Sequence, residues 1–184
     1  MHITSLSASP SERSRSAWLT QFALTRLEGR GTQHEQILVR QLPAAALLSA
    51  DVQDPEIAAA VQAVAQADLV VVGTPIYKAA YSGLLKSLLD LLPQYALAGK
   101  TVLPLATGGS TAHVLAIDYA LRPVLTSMGA SHIVPGWFTL DKDVTAGEDG
   151  TAVIAPAAAQ ALEQVTDHFS AALGGRTTAL ASTG

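Results

Sequence analysis

Three short segments carry the residues that could do chemistry. In the first, the hydroxyls of Ser9, Ser14 and Ser16 stand beside the guanidinium of Arg15, where an apolar pattern of helical spacing begins. Hydroxyls, a fixed cation and the free N–H groups of a helix start suit a phosphate monoester, because the helix dipole reinforces the donors. The same residues would also make an ordinary serine-capped helix start. In the second segment, Pro75, Ile76, Tyr77 and Lys78, followed by Tyr81, come directly after a β-branched apolar run. Two aromatic rings there could hold a flat ring system, or could cover the end of the core. In the third, Thr107, Gly108, Gly109 and Ser110 close another apolar run, and glycines without a Cβ let the backbone approach a ligand. His113, just beyond, reads as a ligand contact or a first-turn histidine.

What is missing narrows the chemistry. The chain has no cysteine, which removes disulfides, thiolate nucleophiles and the phosphate loops built on one. Its histidines, His2, His34, His113, His132 and His168, do not converge in sequence with carboxylates, so no metal site is expected. Neither Gly-x-Gly-x-x-Gly nor Gly-x-x-x-x-Gly-Lys-Ser/Thr occurs, so the first segment suits a mononucleotide better than a dinucleotide.

Such segments meet when they leave the carboxyl ends of parallel strands, where open α/β sheets bind ligands. The pattern predicts strands at 3–6, 36–39, 68–75, 101–106 and 132–138. In the run from Asp68 to Pro75, Leu69 to Val72 are continuously apolar rather than alternating, and turn residues close it, which marks a strand covered on both faces. Helices are expected at 15–27 (Trp18, Phe22 and Leu27 inward, Gly29 and Gly31 closing it), 55–65, 82–92, 111–128 and 156–173. Asp54 should cap the second of these, with Pro55 at its first position. A polar loop at 141–150 precedes the last helix. Alternating strands and helices give a doubly wound α/β domain with right-handed crossovers.

The chain has 184 residues, 49% of them apolar, enough for one domain with a contiguous core; we expect it over 1–173, with 174–184 a flexible tail. A net charge of −4 without like-charge blocks argues against nucleic acid as partner. No signal-like N-terminus and no long apolar run is present, so the expectation is a cytoplasmic protein with no membrane contact.

The motifs taken together have a wider likeness. Ser9-Pro10 with Ser14-Arg15-Ser16, the run from Thr74 to Lys86, Leu103 to Gly109, Ala112-His113 and Asp118 to Leu121 resemble the NAD(P)H-dependent FMN reductases of bacterial two-component alkanesulfonate monooxygenase systems. The likeness spans about residues 3–134. It implies a flavodoxin-like fold, a five-stranded parallel sheet in the order 2-1-3-4-5, with FMN, NADPH (or NADH) as donor, and an FMNH2-dependent monooxygenase as recipient. By position, Ser9, Ser14, Arg15 and Ser16 would hold the FMN phosphate. Pro75, Ile76, Tyr77 and Lys78 would flank the ribityl chain and ring, and Thr107, Gly108, Gly109 and Ser110 would form the opposite wall. The wider superfamily usually has Asn at Lys78, Ser at Ala80 and Pro at Ser82, which separates this chain from the azo- and quinone-reductase branches. Arg13, displaced by Ser11-Glu12, departs from the usual phosphate-loop spacing. Direct hydride transfer from nicotinamide to flavin needs positioning rather than a side-chain acid or base, so no catalytic side chain is assigned. The alternatives are a flavoprotein that keeps FMN and reduces quinone or azo acceptors, and a non-catalytic flavodoxin-like electron carrier.

The helix expected at 111–128 bears on assembly. Val114, Ile117, Leu121, Val124, Leu125 and Met128 form a stripe for the sheet, while Ala112, Ala116, Tyr119 and Ala120 leave the other side nearly uncharged. A helix apolar on two sides is buried on two sides. A homo-oligomer, dimer or by resemblance tetramer, should follow, with Tyr119 near an interface. Pro123 cannot donate to the carbonyl of Tyr119, so a kink or π-type widening is expected there.

Overall fold

The computed structural model describes residues 1–27, 32–148 and 150–181, with 172–181 as backbone only. Strands β1 (His2–Ser7), β2 (Gln33–Leu38), β3 (Leu69–Tyr77), β5 (Thr101–Gly108) and β6 (His132–Ile133) form a parallel sheet in the order β2-β1-β3-β5-β6. Counted along the five parallel strands this is 2-1-3-4-5, the flavodoxin-like arrangement. The central strand explains its own composition. Leu69 and Val71 pack with α1 (Arg15–Leu27) and α6 (Pro156–Ala181) on one face. Val70 and Val72 pack with α3 (Pro55–Gln66) and α4 (Gly83–Leu89) on the other. With both faces covered, no position on the strand can be polar at low cost.

The elements follow local chemistry where caps are strong. Asp54 accepts from the N–H groups of Glu56 and Ile57 at 2.9 and 3.2 Å, with Pro55 opening α3, as its spacing predicts. Arg26 grips Asp167 through Nε and a terminal nitrogen at 3.1 and 3.0 Å, joining α1 to α6. The glycines 29 and 31 expected to close α1 lie outside the described residues.

Several elements differ from expectation. The second strand runs 33–38 rather than 36–39, along the sheet edge. A short helix, α2 (Ala44–Ser49), fills the Ala/Leu-rich connection. The fifth strand is split: Pro135 has no N–H for the ladder, so β6 ends at Ile133 and β7 (Trp137–Leu140) resumes parallel pairing with β5. The polar loop expected at 141–150 contains half of an antiparallel hairpin, β8 (Val144–Ala146) with β9 (Ala152–Ile154). The last helix continues to Ala181 rather than ending at 173.

The expected helix at 111–128 is three segments: a 3-10 turn at Thr111–His113, a π-helix at Ile117–Leu121, and α5 (Arg122–Ser127). The Arg122 N–H reaches the Ile117 carbonyl five residues back, the widening that Pro123 prepares by withholding its own donor. Because the segment opens as a 3-10 turn, Val114 is exposed and Ala116 is buried in its place.

One contact sets the depth at which α1 lies on the sheet. A Cβ at Gly73 would stand 2.4 Å from Thr20 Cγ2 and 2.9 Å from the Ser16 carbonyl oxygen, so β3 admits only glycine there. Thr20 also holds Ser7 Oγ at 2.6 Å and accepts from Gln36 Nε2 at 3.1 Å, closing a polar link from α1 to β1 and β2. Gly73→Ala is expected to cost about 1–3 kcal/mol through overpacking against backbone, lowering Tm by several degrees. Adding Thr20→Ser, which removes the clashing methyl and keeps the hydroxyl, should recover part of the loss in thermal melts.

Candidate functional site

At the carboxyl ends of β1, β3, β5 and β7 lies one cleft. Ser9, Ser11, Arg13, Arg15 and Ser16 line one end of it. Pro75, Ile76, Tyr77, Thr107 and Gly108 line the rest, with Asp141 at the side. Donors therefore crowd one end, beside the first turn of α1, while apolar and backbone surface makes the other. That distribution fits an anion joined to a flat, weakly polar group.

The loops are held in place by a small set of hydrogen bonds. The Ala8 N–H donates to the Gly73 carbonyl at 2.9 Å, carrying the β1–β3 pairing into the first loop. Ser82, which opens α4, does three things at once. Its Oγ donates to the Ala8 carbonyl at 2.6 Å and accepts the Leu85 N–H at 3.1 Å, and its own N–H donates to Thr74 Oγ1 at 3.0 Å. A single buried residue, through its side chain and its N–H, thus ties the serine loop to the end of β3. The wall beyond is shaped by Gly108, where a Cβ would meet Phe138 Cζ at 2.9 Å. The Phe138 ring, packed with Ile76, Ala106 and Ile117, supports the cleft floor.

Of the residues expected at the site, Ser9, Arg15, Ser16, Pro75, Ile76, Tyr77, Thr107 and Gly108 line this cleft. Ser14, Lys78, Gly109 and Ser110 are not among its lining residues. Ser14 is buried and caps α1, accepting the Ala17 N–H at 3.0 Å and pairing with Ser16 Oγ at 3.1 Å. Ser110 caps the next 3-10 turn through the Ala112 N–H. Lys78 occupies the tip of a hairpin in which β3 turns back into β4 (Ala80–Tyr81). Its φ of 50° and the 64° of Ala79 are the paired left-handed values of a two-residue turn. Such a position favours Asn or Gly, which gives a backbone reason for the Asn usual there. The two tyrosines part ways: Tyr77 is exposed beside the cleft, whereas Tyr81 packs on the core.

Three lining residues were not assigned from sequence. Ser11 and Arg13 enter because the loop between Ser9 and Ser14 folds back on itself, with the Ser11 N–H donating to Ser9 Oγ at 3.2 Å. Asp141 enters because β7 runs parallel to β5 with Leu140 opposite Gly108, so the next residue of each chain leaves at the same place. The segment that follows also reaches the first loop, where Arg15 Nε donates to the Val144 carbonyl at 3.0 Å. That bond anchors the guanidinium at the cleft edge through one nitrogen, leaving its terminal pair for a bidentate anion. Extending the last sheet strand to 140 would have pointed to Asp141.

The donor set fits FMN: hydroxyls and two guanidinium groups at a helix start for the phosphate, then Pro75, Ile76, Tyr77 and a Cβ-free wall for a planar ring. Comparisons agree with that chemistry. The family model described as NADPH-dependent FMN reductase matches residues 1–145. An FMN reductase (NADPH) of Pseudomonas putida is 49% identical over 148 residues, covering 80% of this chain and 75% of that protein. An FMN reductase (NADPH) of Escherichia coli is 45% identical over 144 residues, 78% of this chain and 75% of that one. The apo crystal structure of an NADH:FMN oxidoreductase, EMOB, superposes with a TM-score of 0.83 at 46% identity, covering 91% of this chain and 87% of that chain. A match over most of the chain, on a sheet whose strand ends carry this donor set, makes the protein a member of the NADPH-dependent FMN reductase family, an enzyme that reduces FMN with NAD(P)H.

Proposed function

We propose that the enzyme treats FMN as a substrate, reducing it and handing it to a flavin-dependent monooxygenase of the alkanesulfonate type. The observation that carries this reading is the division of the cleft. The basic residues that line the cleft, Arg13 and Arg15, both come from the loop and first turn of α1, while Tyr77 on the β3 side is exposed. A ligand gripped by its phosphate and only flanked at its ring can exchange. Reduced flavin released into aerobic solution reacts with oxygen, so a partner enzyme that uses it is the economical destination, and the sulfonate-system motifs support that partner. We place the reaction in the cytoplasm, where NAD(P)H is regenerated.

In this reading Ser9, Ser11, Ser16, Arg13 and Arg15 hold the phosphate, with Ser14 keeping the α1 start in shape. Pro75, Ile76 and Tyr77 flank the ring, and Thr107 and Gly108 with the following Gly109 and Ser110 form the opposite wall. Lys78, at the hairpin tip, borders the entrance. FMN held there would supply the redox chemistry as the acceptor of a hydride, two electrons and one proton, from NAD(P)H, which becomes NAD(P)+. The chain contributes orientation and backbone donors beside a ring whose negative charge grows.

A homo-oligomer also belongs to this reading. Val114 and Trp137 line a groove with Ile117, Asp118, Gly136 and Phe138, and Leu115 and Tyr119 of the same segment are exposed, Tyr119 by 79%. This patch adjoins the cleft floor and suits a second copy of the chain.

Three outcomes test the proposal. Anaerobic NAD(P)H oxidation by the purified protein should require added FMN and saturate with it; tightly held FMN with full quinone reduction and no stimulation by FMN would replace free-flavin transfer with a retained cofactor. Arg15→Ala should weaken FMN about ten- to a hundredfold, the value of a charge-assisted bond pair, and riboflavin far less. Equal losses, measured by fluorescence quenching, would remove Arg15 from the phosphate site. Tyr119→Ala should shift sedimentation toward smaller species and change flavin retention; a wild-type monomer would exclude the interface.

A further inference from the structure

One carboxylate lines the cleft among its donors. Asp141 lines it together with the arginines and the β5 wall, and its Oδ2 stands 3.9 Å from the point where a Cβ on Gly109 would be. Among the described residues no basic side chain pairs with it. Arg15 spends its Nε on the Val144 carbonyl instead. The carboxylate is only partly exposed and sits where the register of β7 on β5 fixes it, so it is a built feature of the wall rather than a wandering surface charge.

We propose that Asp141 is a specificity-determining residue that makes the cleft discriminate between redox states of FMN, weakening the reduced form and thereby favouring its release. The inference rests on the reading of the cleft as the FMN site. Oxidised FMN has a neutral ring, and a carboxylate beside it costs little. A hydride brings two electrons with one proton, so the ring gains one negative charge until N1 is protonated. That charge develops beside the Thr107–Gly109 backbone, whose N–H groups attract it and whose neighbour Asp141 repels it. A like charge at such range, in the intermediate dielectric of a surface cleft, changes affinity by about tenfold. The arginines of the first loop and α1 still hold the phosphate of both forms, so FMN enters by its phosphate and leaves on account of its ring.

The test compares wild-type protein with Asp141→Asn, and with Asp141→Ser as a second neutral variant should the first melt early. Affinities for oxidised FMN and riboflavin are read by fluorescence quenching, and those for the reduced flavins by anaerobic ultrafiltration. Both neutral variants should bind reduced FMN about tenfold more tightly while oxidised FMN changes much less, and riboflavin should show the same asymmetry. The midpoint potential of bound flavin should rise accordingly. In the wild-type protein, added salt should narrow the gap between the two redox states. Equal tightening of both redox states, or tightening of FMN without riboflavin, would overturn the proposal by placing Asp141 against the phosphate. An unchanged ratio with flavin binding intact would overturn it too and leave the FMN site standing. Failure of all the proteins to bind either flavin would overturn both.

Discussion

A Cβ on Gly73 would lie 2.4 Å from the Thr20 methyl, so α1 reaches β3 only because that Cβ is missing, and the position of everything above the sheet follows from this approach. With the helix seated so low, its first turn arrives level with the ends of β1 and β3. Its free N–H groups then face the same space as the serine loop. The Ser7–Thr20–Gln36 link keeps the helix from sliding, since Thr20 cannot shift without stranding a buried hydroxyl. An anion site at a helix start needs only the helix, but an anion site that shares a ligand with two other loops needs the helix at a fixed height.

Those two loops are fixed by different means. Ser82 fastens the first loop to the end of β3, its buried hydroxyl donating to the Ala8 carbonyl and its own N–H donating to Thr74 Oγ1, so moving either loop breaks a bond inside the protein. The hairpin at Lys78 and Ala79 is fixed by conformation, with two left-handed residues that cost stability and persist because Ile76 and Tyr77 pair with Tyr81 and Ala80. The third wall is held by packing, where Phe138 fills the space that a larger residue at 108 would take. Hydrogen bond, turn and packing together fix the three loops that line the cleft by three different means.

The segment from β7 to β8 gives the site its balance. Arg15 is anchored from here, and Asp141 is delivered from here, so one stretch both holds a cation of the cleft and places an anion in it. The π-helix at Ile117–Leu121 lies behind the same wall, with Ile117 under Phe138 and Tyr119 turned outward. An assembly contact at Tyr119 would therefore press on an element one layer from the flavin wall.

Much of this was legible in the residues. The both-faced strand at 68–75, the Asp54 cap, the start of α1 and the π-type widening ahead of Pro123 all depend on interactions within a few residues, and local spacing encodes those. The serine, Tyr77 and Thr-Gly segments were legible as neighbours at one cleft because loops that leave the carboxyl ends of adjacent parallel strands come together there. What the spacing left open is which donors point inward. Ser14 turns to its own helix and Arg13 turns to the cleft, a choice made by a loop that folds on Ser9. Asp141 and the Val144 carbonyl were out of reach altogether, since the latter meets Arg15 across 129 residues of chain. A split strand and an antiparallel hairpin bring that segment back, and their register depends on Pro135 and on pairing with β5. Local chemistry determined the elements and the three loops; tertiary register alone decided which charges share the cleft, because contacts between distant segments leave no period in the sequence.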